Sequence, residues 1–383
     1  MTFIQDLPDE ILLKVSSFLN IKDLVKFGHV SKRMRKIRSD ESLWQKINLS
    51  KCEPGGEGYY INTPIDVPND LVKMVLENGC KYLSLLCMKV RPIFIGSLGD
   101  LRLEKQSSLS YLDLKYCEAN INTFEEILDS CHSLQKLSLA SRGQRSSTTV
   151  DFLVPKLSYS LTSKMIRSIY YQNGHSLQTL NLTCCDGLDL ESIQKITKNC
   201  VELKNVNLPS TKLSMASINF LVTNLTPKVE KINLGYLWNL KDEHIKVLLA
   251  RCNKLSVLIL RYTSITNVSL MHIIENLQHT LEKLDVYMCD AITYAKLTEL
   301  KSMPKLQVLN FWGSDHEKRD LLTLMPFVKF DEIITADERK LLSADGIWDV
   351  EVKQLQYFKK LEKYQIQELE KCQIQEWPNK IIF

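Results

Sequence analysis

A short apolar pattern, Leu-x-x-Leu-x-Leu, recurs through most of this chain and constrains its fold more than any other sequence feature. Five copies follow one another at intervals of 26 residues, a sixth comes after 25, and two copies farther upstream are also 25 residues apart. The copies begin at Leu109, Leu134, Leu177, Leu203, Val229, Leu255, Leu281 and Leu306. Because a regular interval of this length marks one structural unit, we expect stacked, similar units rather than a single closed domain.

Each regular unit is predicted to contain a β-strand, a polar loop and an α-helix. Residues 242–249 and 267–274 have the apolar spacing of a helix, and the first of these segments has acidic residues in its first turn. A period of 20–29 residues with this core is typical of leucine-rich repeats. We therefore predict an α/β fold, a horseshoe-shaped solenoid with parallel strands inside and helices outside, which offers a curved binding surface.

One interval breaks this rhythm, and one segment lies beyond it. Leu134 and Leu177 are 43 residues apart, and we assign the excess to an inserted loop over 141–160, with a helix resuming near Leu161. The insertion is either a tolerated surface loop or a loop that contacts a partner or is phosphorylated. Once the repeats end, residues 334–383 are predicted to form a mostly helical tail, which caps the last repeat or docks on the array or on a partner.

The composition is that of a soluble protein whose partner is neither nucleic acid nor membrane. Of the 383 residues, 44% are hydrophobic and 25% charged, and the net charge of +4 lacks the strong basic excess of a nucleic-acid-binding protein. No apolar stretch approaches the ~18 residues that span a bilayer, and Asp6, Asp9 and Glu10 lie where a signal peptide has its apolar core. We therefore expect a cytoplasmic or nuclear protein without disulfides, because thiols stay reduced in those compartments.

The eleven cysteines are predicted to be structural. Cys131, Cys200 and Cys252 each lie three residues before the first Leu of a repeat, a fixed position that suits a small, buried thiol. The chain has no Cys-x-x-Cys, no His-Glu-x-x-His, no phosphate-binding loop and no nucleophile–base motif. The sequence thus predicts a non-catalytic binding protein, with no metal site, no cofactor and no catalytic residue.

The N-terminal segment predicts three short helices, over 7–19, 21–27 and 30–37. It resembles the F-box motif along nearly its whole length, although Met34 stands where that family commonly has Trp. The matching residues are Leu7-Pro8, Glu10-Ile11-Leu12, Val15, Phe18-Leu19, Asp23-Leu24, Val30-Ser31-Lys32-Arg33, Arg35 and Asp40-Glu41-Ser42-Leu43-Trp44. An F-box before cysteine-containing leucine-rich repeats is the domain order of the F-box/leucine-rich-repeat family, and the array with its long tail is most similar to the S-phase-kinase-associated branch.

This resemblance implies a substrate receptor of an SCF (cullin–RING) ubiquitin ligase. The F-box would bind the Skp adaptor, and through it cullin–RING, while the repeats would hold a protein substrate for ubiquitination. Carried over position by position, the adaptor-facing residues are Leu7, Pro8, Ile11, Leu12, Leu19, Leu24 and Val30. Trp44 matches the aromatic residue that packs the F-box onto the repeats. The alternative is a cullin-independent leucine-rich-repeat scaffold or an inhibitor-type binding protein.

We divide the chain into four parts. The F-box domain covers 1–48, a linker rich in turn formers with a short helix covers 49–79, the repeats cover 80–333, and the tail follows. A weak strand pattern starting at Trp44 would lead the F-box directly into the array.

The surface of the repeats predicts where a substrate binds. In each unit the leucines point into the core, and the alternate residues point to the concave face, because strand side chains alternate with period two. Residue types that dominate interface energetics collect at the C-terminal end of this face. These candidate substrate-binding residues are Tyr236, Trp238, Arg261, Tyr262, Tyr287 and Trp312. Alternatively, some of them pack on the tail or on one another, and a column of asparagines on the same face only satisfies exposed backbone and water.

Overall fold

The computed structural model describes most of the chain between residues 4 and 330. The described residues are 4, 7–49, 65–85, 88–91, 108–115, 117, 121–140, 160–312, 315–326 and 328–330. Residues 50–64 of the predicted linker, the predicted insertion except Ser160, and the predicted tail therefore lie outside the described residues.

Three short helices form the N-terminal domain, as predicted: α1 (Asp9–Ser16), α2 (Ile21–Val30) and α3 (Lys32–Arg38). The side chains of Asn20 and Ser31 cap α2 and α3, since they accept hydrogen bonds from the N–H groups of Asp23 (3.0 Å) and Met34 (3.1 Å). A buried cluster fills the centre of this domain. It consists of Leu12, Met34 and Ile37, with Leu7, Leu13 and Phe27 packed against it. Met34 is thus a core residue at the position where the resembling family has Trp.

Most strands supply one three-residue rung each to a single long sheet. In chain order they are β1 (Lys46–Asn48), β2 (Ile65–Pro68), β3 (Tyr82–Ser84), β4 (Met88–Arg91), β5 (Tyr111–Asp113), β6 (Lys136–Ser138), β7 (Thr179–Asn181), β8 (Asn205–Asn207), β9 (Lys231–Asn233), β10 (Val257–Ile259), β11 (Lys283–Asp285), β12 (Val308–Asn310) and β13 (Lys329–Phe330). Within the described residues, eleven strands form the order β1-β3-β5-β6-β7-β8-β9-β10-β11-β12-β13, while β2 and β4 form a small parallel pair.

The repeat pattern sets the register of this sheet. From β1 to β12 neighbouring strands are parallel, and the buried central residue of one strand lies beside that of the next, as Leu258 lies beside Ile232 and Leu284. Each strand therefore continues the apolar layer of its neighbour. A slip by one residue would turn the central leucine away from the core.

Helices connect successive strands and pack on one another along one side of the sheet. They are α4 (Asn69–Glu77), α5 (Ile121–Asp129), α6 (Ser163–Arg167), α7 (Leu190–Asn199), α8 (Met215–Asn224), α9 (Asp242–Arg251), α10 (Asn267–Leu277), α11 (Tyr294–Leu297) and α12 (Asp315–Leu324). α6 continues into a π-helical turn over Ser168–Gln172, and α11 into a 3-10 turn over Thr298–Ser302. The predicted α/β solenoid of leucine-rich repeats is therefore confirmed.

One backbone position in five successive repeats adopts the left-handed conformation without glycine. Cys184, Ser210, Tyr236, Tyr262 and Met288 have φ between 55° and 61°. The N–H groups of the first four donate to a carbonyl of the next repeat at 2.8–3.0 Å. Since a left-handed residue other than glycine costs roughly 1–2 kcal/mol, these inter-repeat hydrogen bonds help to hold the conformation.

The cysteines at the repeat position predicted from the sequence are buried and free. Cys131, Cys200 and Cys252 lie between the helix and the next strand of their repeats. Burial raises the pKa of Cys200 to about 12 and that of Cys252 to about 11. These thiols are therefore protonated at neutral pH, which is the state of structural rather than reactive cysteines.

The first strand of the sheet joins the helical domain to the repeats. β1 follows Trp44 by one residue and pairs in parallel with β3. Trp44 is fully buried, and its indole N–H donates to the carbonyl oxygen of Arg38 at 2.5 Å. The carbonyl of Gln45 accepts from the N–H groups of Lys81 and Tyr82, at 3.1 and 3.0 Å. We call the region formed by Trp44, Gln45, β1 and β3 the junction, and the sheet begins there.

Candidate protein-interaction surfaces

The helical domain has an exposed apolar surface beside its filled core. Ile11, Val15 and Phe18 are exposed and spaced as i, i+4 and i+7, so they lie along one side of α1 and its C-terminal turn. Val30, at the end of α2, is exposed as well. Phe18 is 82% exposed and Val30 74% exposed. We call Ile11, Val15 and Phe18 the F-box patch.

The structure separates the predicted adaptor-facing residues into two groups. Ile11 belongs to the F-box patch, Val30 and Pro8 are exposed, and Leu7 and Leu19 are partly buried. Leu12 and Leu24, in contrast, are buried inside the domain. The surface role predicted for these two residues is corrected, because the folded domain buries both side chains and Leu12 belongs to its core cluster. Adaptor contact by the other residues stays a prediction.

The sequence-based selection also left out Val15 and Phe18, which are exposed apolar residues of the same helix. The helix α1 has apolar residues on two sides, so the motif alone does not tell which side is outside. The spacing of Ile11, Val15 and Phe18 was the available signal, since residues at i, i+4 and i+7 share one helix face.

Polar residues on the strand face close tight turns rather than point to solvent. Side-chain Oδ1 atoms at the ends of four strands accept a hydrogen bond from the N–H two residues ahead, at 3.0–3.1 Å. These acceptors are Asp113, Asn181, Asn233 and Asp285. All four are buried. These four polar side chains are therefore structural, because they bind N–H groups of the chain itself.

Arg261, predicted to bind substrate, is instead part of a buried ion pair. Its side chain is 2% exposed, and that of Asp285 is fully buried. Arg261 Nε donates to Asp285 Oδ2 at 2.9 Å, and its Nη2 forms a second, shorter contact with the same oxygen. Asn310 also donates to this oxygen at 3.2 Å. The prediction that Arg261 offers its guanidinium to a substrate is corrected, because Asp285 already holds that group inside the fold.

Gly235 gives this ion pair its space. A Cβ atom built at Gly235 would lie 2.9 Å from Cγ of Arg261. The aliphatic part of the Arg261 side chain therefore passes directly over Gly235 in the preceding repeat. This close approach accounts for glycine at a position where Pro209 and Thr183 occupy the two earlier repeats.

Four of the predicted substrate-binding residues form a continuous row of rings. Tyr236 and Tyr262 stack at a centroid distance of 4.6 Å, Tyr262 and Tyr287 are tilted at 5.9 Å, and Tyr287 and Trp312 form a T-shaped pair at 5.6 Å. These spacings follow from the roughly 4.8 Å between neighbouring strands. We call these residues the aromatic ladder. Trp238 is exposed, and Ser264 of the next repeat donates to its carbonyl oxygen at 2.8 Å.

The aromatic ladder ends beside a pocket between the last two regular repeats. The pocket has a volume of about 130 Å³ and is partly open to solvent. Its apolar lining comes from Val286, Ile292, Leu297 and Phe311. Cys289, Asp290 and Trp312 also line it.

Chemical sites of other kinds are not apparent in the part of the chain that the structure describes. No group of three or more His, Cys, Asp or Glu side chains there is arranged to hold a metal ion. Among the same residues, no helix is both long and apolar enough to cross a bilayer. Within the described ranges, the F-box patch and the aromatic ladder with its pocket have side chains that suit contact with a protein.

Comparison with known proteins identifies both parts of the chain. A family model described as the SKP2 LRR domain matches residues 72–333, and one described as F-box-like matches residues 4–50. Among solved structures, a chain in the crystal structure of the Rad7 and Elc1 complex in yeast is similar, with a TM-score of 0.49 and 15% sequence identity. That similarity covers 84% of this chain and 92% of the other.

Proposed function

This chain belongs to the family of SKP2-type leucine-rich-repeat proteins with an F-box-like domain, and we propose that it is the substrate-recognition subunit of an SCF (cullin–RING) ubiquitin ligase. In this proposal the F-box binds the Skp adaptor, which connects it to cullin–RING in the cytoplasm or the nucleus. The repeats bind the protein to be ubiquitinated. In this proposal the chain supplies no catalytic group. It holds the target close to a ubiquitin-charged conjugating enzyme, and this proximity accelerates the transfer of ubiquitin.

The F-box patch is the observation that carries this proposal. A soluble domain seldom exposes several large apolar side chains side by side unless a partner covers them. Here the core has its own residues, Leu12, Met34 and Ile37, so Ile11, Val15 and Phe18 are not needed inside. A patch of this kind fits the apolar centre of a stable protein interface, which buries about 1,600 Å² in total.

The aromatic ladder supports the second half of the proposal. Tyr and Trp are enriched among the residues that dominate protein–protein binding, because they contribute a large contact area with few rotatable bonds. The ladder is also fixed in advance by ring–ring contacts between neighbouring repeats. A target that binds it therefore meets an ordered surface.

Co-expression with the Skp adaptor, followed by size-exclusion chromatography, tests the proposal. Phe18→Ser removes the most exposed aromatic side chain of the F-box patch without disturbing the core. Tyr171→Ser is the matched control, since Tyr171 is an aromatic residue 69% exposed on the π-helical turn of the repeats. A charge at Leu12 would be a poor test, because it would disrupt the folded domain itself.

We expect the wild-type chain and Tyr171→Ser to elute with the adaptor in a stoichiometric complex, and Phe18→Ser to lose most of it. A folded, monodisperse wild-type chain that ignores the adaptor would contradict the proposal. That result would favour the alternative, a cullin-independent scaffold or inhibitor-type binding protein.

A further inference from the structure

The pocket at the end of the aromatic ladder combines an open indole with a carboxylate. Trp312 is 66% exposed, and Tyr287 makes a T-shaped contact with it. Asp290 is exposed and lines the same pocket. Among the described residues, the Asp290 side chain has no hydrogen-bond or ion-pair partner. The pocket therefore has a flat aromatic wall and a negative charge.

The charge of Asp290 acts on the interior of this pocket. Burial raises the pKa of Cys289, another lining residue, and the negative charges of Asp285 and Asp290 add to the effect. The buried guanidinium of Arg261 is already bound to Asp285. Asp290 therefore gives the pocket a preference for a cation that comes from outside.

The volume and the chemistry together select one kind of occupant. The pocket volume of about 130 Å³ is well below the roughly 300–1,000 Å³ of small-molecule sites, so the pocket fits a single side chain better than a cofactor. A guanidinium is flat, stacks on an indole, and donates two parallel hydrogen bonds to a carboxylate. An ammonium group lacks the flat stacking surface.

We propose that this pocket binds an arginine side chain of the target protein, with the guanidinium between the Trp312 indole and the Asp290 carboxylate. The neighbouring segment of the target then runs across the strands along the aromatic ladder. This inference rests on the proposed function, because it takes the repeats as the target-binding part. It adds a chemical class to the target, namely a protein with an arginine in an extended, accessible segment.

Fluorine NMR of the full-length chain labelled with 5-fluorotryptophan tests the pocket directly. The chain has five tryptophans. The Trp312 resonance is assigned as the one that is missing from the spectrum of the Trp312→Phe variant. The probe is the peptide acetyl-Ala-Ala-Arg-Ala-Ala-amide. The same peptide with citrulline in place of arginine is its neutral, nearly isosteric control. We expect the arginine peptide to shift the Trp312 resonance in a saturable way and to bind about tenfold more tightly than the citrulline peptide.

Two variants separate the carboxylate from general surface charge. Asp290→Asn should weaken binding of the arginine peptide about tenfold, because it removes the charged acceptor. Glu282→Gln makes the same change in charge at an exposed position of the same repeat and should leave binding within about twofold, because exposed charges outside the site are screened. The inference would be overturned by any of three results. These are equal affinities for the arginine and citrulline peptides, an Asp290→Asn variant that binds the arginine peptide as tightly as the wild type, or a Trp312 resonance that does not shift.

Chromatography of the same preparations with the Skp adaptor keeps the two hypotheses apart. Adaptor binding without a response at Trp312 would refute the arginine pocket and leave the receptor function standing. A saturable, charge-dependent response without adaptor binding would support the pocket and refute the ligase function.

Discussion

At the scale of single residues, the buried ion pair between Arg261 and Asp285 illustrates how position and role diverge. Alternation along the strand places both side chains on the strand face, where the sequence suggests contact with a substrate. In the structure these side chains bind within the chain instead: Asp285 accepts hydrogen bonds from Arg261, from Asn310 and from the N–H of Tyr287. Burying two charges is tolerated since each satisfies the other and the remaining lone pairs are used.

Removal of one partner should therefore be costly. In Asp285→Ala the guanidinium of Arg261 stays buried without a counter-charge, which typically costs about 3–5 kcal/mol. The N–H of Tyr287 also loses its acceptor. We expect a clearly lower urea midpoint of unfolding with an unchanged slope, measured by circular dichroism.

The double variant Arg261→Leu with Asp285→Asn is the control for this pair. Leucine removes the buried cation, and asparagine keeps the turn acceptor, as Asn181 and Asn233 do in earlier repeats. The double variant should recover a large part of the lost stability. If it unfolds as easily as Asp285→Ala, the cost does not come from the stranded charge.

At the scale of secondary-structure elements, Asp242 links two neighbouring helices. It is the first residue of α9, and its carboxylate accepts from the N–H groups of Thr266 and Ser269, at 2.9 and 3.1 Å, at the start of α10. The hydroxyls of both residues donate to it as well. The negative charge also lies at the N-terminus of α10, where the helix dipole favours it. One side chain thus fixes the stacking of two repeats.

The pKa of Asp242 yields a prediction for the pH dependence of stability. Burial alone would raise this pKa, but the hydrogen bonds from Ser269 and Thr266 together lower it below the ordinary value of 3.8. Since the folded pKa is below the unfolded one, the stabilisation is complete above pH ~4 and is lost as the pH falls through the folded pKa. Asp242→Asn should cost about 1–2 kcal/mol at neutral pH.

Urea unfolding of the wild type and Asp242→Asn between pH 7 and pH 2.5 measures this effect. The difference in the free energy of unfolding should be constant from pH 7 to pH 5 and shrink below pH 4. Glu243→Gln, an exposed neighbour, should differ little from the wild type throughout. A difference that already changes between pH 7 and pH 5 would mean that another group is responsible.

The elements also show how far the sequence alone could lead. The Leu-x-x-Leu-x-Leu spacing placed β7 to β12 correctly, because stacked units force their apolar residues into register. It could not reveal the left-handed residues, because Tyr236 and Tyr262 carry no glycine signal and their conformation depends on hydrogen bonds to the next repeat. Nor could it reveal which side of α1 is outside, because that depends on the packing of α2 and α3.

At the scale of the whole molecule, the continuous sheet determines how a disturbance spreads. β1 belongs to the junction around Trp44, and each later strand pairs only with its neighbours in the sheet. In such a solenoid, stability is approximately a sum of unit and nearest-neighbour contributions. The helical domain, then, depends energetically on the first rungs of the sheet and only weakly on distant repeats.

Trp44→Ala tests this arrangement, because it empties the centre of the junction. Replacing a fully buried Trp by Ala typically costs about 3–5 kcal/mol, and the carbonyl of Arg38 loses its donor. We expect amide hydrogen exchange to accelerate in α1 to α3, β1 and β3, and to stay unchanged in β9 to β11. Trp238→Ala, which removes an exposed indole, should leave the exchange of both regions unchanged. A uniform acceleration along the chain in Trp44→Ala would mean that the F-box and all repeats unfold as one cooperative unit. In that case the F-box could not loosen while the target-binding repeats stay folded.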